Sequence, residues 1–159
     1  MLQRQLRGGG GGDVPIGVGV QYCDANPNST GIPAILTPLG NTNVNNNNFI
    51  LRTRDLPLQK VGYYVGGRGR SFTANPGGSE GNLCLGGAIG RYVGPGQIQQ
   101  SDLMGQIALT LDLTQLPQPN GFVNVMSGET WNFQAWYRDA AMGGGATSNF
   151  TDGLTIDFL

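Results

Sequence analysis

The sequence predicts an all-β protein: an antiparallel β-sandwich with Greek-key connections, jelly-roll-like or immunoglobulin-like, of about nine strands. Three observations carry this. Several segments alternate apolar and polar residues at period two, whereas none keeps a 3.6-residue repeat over ten residues. Clusters of Gly, Pro and Asn interrupt those segments at short intervals. Glycine accounts for 28 of 159 residues, more than twice the usual ~7%.

The chain divides into a glycine-rich arm over residues 1–13 and one sandwich domain over residues 14–159. Residues 8–12 are five consecutive glycines, a flexible linker. Val14 to Tyr22 then alternates, with Ile16, Val18, Val20 and Tyr22 on one predicted face and Pro15, Gly17, Gly19 and Gln21 on the other. Its bare second face suits close approach of another backbone. Asp24 to Gly31 is turn chemistry, and Ala34 to Leu39 a short strand. The Asn-rich stretch from Gly40 to Asn48 is a surface loop, because asparagine tolerates left-handed backbone.

Strands follow at Phe49–Asp55 and Val61–Val65, with a turn at Gly66-Gly67-Arg68-Gly69 and a short strand starting near Phe72. Leu83 to Tyr92 is an apolar run whose glycines imply close backbone packing. Gln106 to Leu113 alternates cleanly and ends before the Leu116–Gly121 breaker; a short strand over Phe122–Met126 precedes the strongest one. That is Trp131 to Asp139, which places Trp131, Phe133, Ala135 and Tyr137 on an apolar face and Asn132, Gln134, Trp136 and Arg138 on an amphipathic one. Leu154 to Phe158 closes the fold. The predicted core residues are Leu109, Leu111, Trp131, Phe133 and Tyr137.

Composition excludes several functions. Charged residues are 12% of the chain against a usual ~25%, and the net charge of −1 provides no footprint for nucleic acid. The basic cluster Arg52, Arg54, Lys60, Arg68 and Arg70 reads as solvated strand edges and a turn. No run of 18 apolar residues exists, so no membrane-spanning helix is expected. The glycine runs at 66–69 and 86–90 precede no helix, so the dipole of a phosphate-binding loop is missing.

No catalytic signature, metal or cofactor is expected. Glu80 and Glu129 lie beside turns and form no recognisable acid pair for glycoside cleavage. Asp139, Asp152 and Asp157 lack the spacing of a calcium loop. Asn28-Ser29-Thr30 and Asn149-Phe150-Thr151 fit the N-glycosylation pattern. Cys23 and Cys84 form no CxxC motif; they read either as one disulfide or as reactive thiols, the latter without any histidine in the chain to activate them.

The motifs Cys84-Leu85-Gly86-Gly87-Ala88-Ile89-Gly90-Arg91-Tyr92, Glu129-Thr130-Trp131-Asn132-Phe133-Gln134-Ala135-Trp136-Tyr137-Arg138-Asp139 and Ser148-Asn149-Phe150-Thr151-Asp152-Gly153 stand in fixed order. With them, the span from Tyr22 to Phe158 resembles a secreted β-rich module, of uncharacterised function, from planctomycete-like and related environmental bacteria. The resemblance implies an exported protein with Cys23 and Cys84 paired, and implies no catalytic residue.

Two functions follow as expectations for a non-enzymatic, extracellular or cell-surface protein. The first is a structural subunit of a filament or surface assembly, a homo-oligomer or polymer joined by a donated strand carrying Ile16, Val18, Val20 and Tyr22. The second is a carbohydrate-binding or adhesive module, with a polysaccharide stacked on Trp136, Tyr63, Tyr64 and Tyr92.

Overall fold

A computed structural model describes residues 12–159; the first eleven residues of the expected arm lie outside the described residues. Among the described residues thirteen strands run in chain order: β1 (Val14–Ile16), β2 (Gly19–Tyr22), β3 (Ile35–Gly40), β4 (Phe49–Arg54), β5 (Val61–Ala74), β6 (Asn82–Arg91), β7 (Gln99–Gln100), β8 (Ile107–Leu111), β9 (Leu116–Gln118), β10 (Gly121–Val123), β11 (Thr130–Ala140), β12 (Ala146–Phe150) and β13 (Gly153–Asp157). The count exceeds nine mainly because β1, β7, β9 and β10 are two- or three-residue pieces too short to show a period in sequence.

The fold is an all-β sandwich with every strand pair antiparallel. The large sheet runs β1-β2-β13-β11-β5-β6, with β12 also on β11 and β7 on β5; the small sheet is β3-β4-β8, and β9 and β10 form a separate hairpin. The chain crosses between sheets after β2, after β4 and after β7, returns to the large sheet at β11 by way of the β9–β10 hairpin, and inserts its last strand between β2 and β11. The core lies between the sheets. Phe133, Ala135, Tyr137, Leu154 and Ile156 from the large sheet meet Leu36, Phe49, Leu51 and Leu111 from the small one. Phe49 packs on Phe133 and Phe158, with ring centroids 6.2 and 5.4 Å apart.

Trp131, Phe133, Tyr137 and Leu111 are buried as expected. Leu109 is only half-buried. It pairs opposite Leu51 on β4, but β8 is an edge strand with no further strand beyond it among the described residues.

The expected single strand over Val14–Tyr22 is a hairpin instead. Gly17 has φ +51°, and the chain reverses there, so β1 pairs with β2 and places Ile16 opposite Gly19. Ile16, Val18, Val20 and Tyr22 therefore share no continuous face. Val18 is exposed at the turn, Ile16 and Val20 are half-buried and Tyr22 is buried. Two glycines at alternate positions imitate a bare strand face, which is how the turn hides in the pattern. β2 pairs with β13 of its own chain, Tyr22 opposite Gly153.

The expected turn at Gly66–Gly69 is also corrected: β5 continues through it. Register shifts at Gly67/Gly69 and Arg70/Thr73 bend β5 and β6 strongly, as bulges do. Their distal halves curl across the outer face of the large sheet. Arg70 reaches Thr155 on β13, its Nη2 donating to the hydroxyl at 2.8 Å. Cys84 on β6 is bonded to Cys23 just beyond β2, with 6.4 Å between Cα atoms.

That curl buries the Asn132 and Gln134 part of the amphipathic face of β11, and polar groups line the seam. Gln134 is fully buried; its Oε1 accepts from the Cys84 N–H at 2.7 Å and its Nε2 donates to the carbonyls of Asn82 and Thr151. Asn132 donates to the Arg68 carbonyl and accepts from Thr155. The Tyr22 hydroxyl donates to the Cys84 carbonyl at 2.9 Å. Peptide groups freed by the bulges are thus satisfied by side chains, as burial demands.

Candidate ligand groove on the outer face of the large sheet

The curl leaves uncovered the end of the large sheet where Tyr63, Trp136 and Phe150 stand. Trp136 pairs directly with Tyr63 on β5 and with Phe150 on β12, so the three aromatics form one row across three strands. Strand alternation sends them outward while Tyr64, Ala135 and Tyr137 point into the core. The Tyr63 and Trp136 rings lie 5.0 Å apart at 36°, within the usual range for interacting pairs. Both are half-buried, whereas Phe150 forms the buried floor.

This row lies in a groove of about 710 Å³. Pro117, Gln118 and Pro119 of β9 and its turn form one wall; Pro76, Gly77 and Leu83, at the tip of the curled hairpin, form another. β9 reaches its place only because residue 90 is glycine: a Cβ there would collide with the Pro117 carbonyl. Arg91, paired opposite Val65, also lines the groove. The Arg138 guanidinium stands 5.1 Å from the centre of the Trp136 ring.

Of the four aromatics singled out for stacking, the groove brings together Trp136 and Tyr63. Tyr64 and Tyr92 are core residues, 0% and 2% exposed, and burial pushes the hydroxyls of both well above the ordinary tyrosine range. Phe150 was not anticipated. It lies on a five-residue strand hidden between Gly143–Gly145 and the final strand, although the spacing Ser148-Asn149-Phe150 puts it on the outward set.

The remaining candidates are structural. Asn28 is buried: its Oδ1 accepts from Thr30 and its Nδ2 donates to the Asp55 carbonyl and the Tyr137 hydroxyl. Asn149 is fully buried, donating to the Pro27 carbonyl and accepting from Phe150 N–H. Neither amide is presented for a glycan. Asp139 accepts from the Ser29 N–H, Asp152 from the Leu36 N–H and Asp157 from the Thr130 hydroxyl, at three separate places. The basic cluster is dispersed: Arg68 pairs with Glu129 at 2.9 Å and Arg70 with Asp13 at 3.1 Å. Glu80 and Asp139 line a different depression with Pro27 and Asn28. Among the described residues no helix is long and apolar enough to cross a membrane.

Compared with protein-family models, curated proteins and solved structures, the chain matches none.

Proposed function

We propose that this protein is an exported carbohydrate-binding module, with sugar rings stacked on the Tyr63–Trp136 pair. The observation that carries the reading is the one-register row Tyr63, Trp136 and Phe150 in an open groove with a polar rim. Sugar rings present flat faces of C–H groups, which pack on aromatic faces, and hydroxyl edges that need polar partners. Arg91 supplies donors at the rim, and Gln118, whose Nε2 donates to the Pro117 and Gly66 carbonyls, an amide oxygen as acceptor. The Cys23–Cys84 disulfide agrees with an oxidising compartment, as does the resemblance of the motifs to a secreted module. Titration of the intact protein with a panel of soluble polysaccharides, followed by tryptophan fluorescence, tests it. Saturable change lost in Trp136→Ala supports the reading; no response to any polysaccharide overturns it.

Self-assembly is the second reading. It is favoured by β1, which ends the large sheet and leaves one side of a short strand free for pairing among the described residues. In the donated-strand form, β2 would exchange its own β13 for a neighbour's, a swap. Elsewhere edge pairing is blunted by side chains. Gln21 and Asp152 engage the Leu36 carbonyl and N–H on β3, and Gln99 donates to the Ala108 carbonyl on β8. Sedimentation of the intact protein and of a form lacking residues 1–19 separates the readings: an intact protein that stays monomeric at high concentration rules out assembly.

A further inference from the structure

From the charges around the groove we infer that its ligand is an anionic saccharide, one whose repeating units carry carboxylate or sulfate groups. This rests on the carbohydrate reading and narrows its substrate class. The argument is register. Trp136 and Tyr63 define the aromatic row. Arg91 stands opposite Val65, two residues along β5 from Tyr63. Arg138 lies two residues along β11 from Trp136, on the opposite side of the row, because β5 and β11 are antiparallel. The two arginines are therefore rooted on opposite sides of the aromatic row, four residues apart in register. At a rise of ~3.3 Å per residue, their backbone rows are separated by about 13 Å along the strands, and the Arg138 guanidinium reaches back to the Trp136 ring.

The charge of this surface is one-sided. Among the described residues, those lining the groove include Arg91 and no carboxylate. Neither Arg91 nor Arg138 has an ion-pair partner among the described residues, in contrast to Arg68 and Arg70, which are held by Glu129 and Asp13. In a chain with so few charges and a net charge near neutral, two uncompensated arginines flanking one aromatic row form a local positive field. Guanidinium is a planar donor fork that matches carboxylate and sulfate oxygens two at a time. A neutral glycan would stack on Trp136 but offer the forks only single, uncharged hydroxyl contacts. An acidic glycan satisfies the forks while its ring faces cover the aromatics.

The test uses the full chain and four ligands of matched length: oligogalacturonate, its neutral galacto-oligosaccharide counterpart, a sulfated galacto-oligosaccharide, and polyglutamate as an anion without sugar. The inference expects the uronate or the sulfated sugar to bind at least tenfold more tightly than the neutral one at low salt, with the preference shrinking as salt is raised. Arg91→Gln should remove most of that preference, weakening the anionic sugars far more than the neutral one; Trp136→Ala should abolish binding of both sugar types. Arg138→Gln is the second, independent variant, and it too should lower the preference. Equal affinity for neutral and anionic sugars overturns the inference while sparing the carbohydrate reading. Polyglutamate binding as tightly as the anionic sugars overturns it as well, because charge alone would then suffice. Failure of every sugar to bind overturns both.

Discussion

The Arg70 guanidinium carbon lies 3.9 Å from the centre of the Tyr22 ring, joining β5 to β2, two strands that are not neighbours in the sheet. Asp13 and Thr155 hold the same guanidinium, and the Cys23–Cys84 bond lies one residue beyond Tyr22. Together these groups clasp the curled hairpin to the outer face. A Cβ at residue 153 would strike the Tyr22 ring, so glycine there lets the ring lie flat beneath the clasp.

Opening the clasp should loosen the hairpin before the core. Cys84→Ser, or reduction of the wild type, removes a cross-link closing a 61-residue separation. The expected loss of stability is on the order of 2–4 kcal/mol. Hydrogen exchange should quicken first over residues 68–86, while Phe133 and Leu154 stay protected. The Pro76–Gly77 wall belongs to that segment, so ligand affinity should fall with it. Simultaneous loss of protection throughout would refute a locally acting clasp.

Two buried tyrosines should respond oppositely to loss of the hydroxyl. The Tyr64 oxygen sits 2.9 Å from the Thr53 hydroxyl and within 3.3 Å of the Leu51 and Ile107 carbonyls. Tyr64→Phe strands those groups and should cost about 1–3 kcal/mol. The Tyr92 hydroxyl is buried without a hydrogen-bond partner among the described residues. Tyr92→Phe removes an uncompensated desolvated group and should be neutral or stabilising by about 1 kcal/mol. Denaturant midpoints measure both, and a Tyr92→Phe midpoint as low as that of Tyr64→Phe would contradict the assignment.

Much of the fold was legible because the buried faces of β4, β8 and β11 obey period two without interruption. The outer half of the large sheet was not. Gly17 and Gly19 imitate strand positions while Gly17 makes a turn, and Gly66–Gly69 imitate a turn while carrying a bent strand. In both places glycine's lack of a side chain removes the only periodic signal, and tertiary contacts decide. The groove was half legible: outward alternation marks Trp136 and Tyr63, but Tyr64 and Tyr92 look equally available until the sheet they face is known. The pairing that sets Phe150 beside Trp136 is a long-range register that no local pattern states.

Alkaline pH should unfold the protein cooperatively. Burial, first of all, pushes the hydroxyls of Tyr22, Tyr64, Tyr92 and Tyr137 above their ordinary value; for Tyr22 the Arg70 charge offsets part of it, and for Tyr137 the Asn28 hydrogen bond does. In the unfolded chain tyrosine ionises near pH 10. A folded-state value above the unfolded one means that the stabilisation is complete below about pH 10. It is lost as pH rises, at about 1.4 kcal/mol per tyrosine per pH unit. Stability should be flat from pH 7 to 9 and fall steeply from about 10.5. Tyr92→Phe should reduce that slope by one proton; an unchanged slope would contradict the burial of this hydroxyl.

The two tryptophans should separate stability from binding. Trp131 is 2% exposed. Its Nε1 donates to Glu129 Oε1 at 3.2 Å, and the Arg68 guanidinium carbon lies 5.4 Å from its ring centre. Truncation to alanine leaves a large cavity beneath that lid and removes one of the two donors to Glu129 Oε1, the other being the Met126 N–H, so Trp131→Ala should cost about 3–5 kcal/mol. Trp136 contributes an outward face of the same strand and loses chiefly its contact with Tyr63, so Trp136→Ala should cost only about 0.5–1.5 kcal/mol. Iodide should quench Trp136 and spare Trp131 in the intact protein, and a saccharide in the groove should shield Trp136 from that quencher. The Trp136→Phe variant, which keeps an aromatic face, should retain weakened binding. If Trp136→Ala destabilises as much as Trp131→Ala, the outward row is part of the core and the groove is not a binding surface.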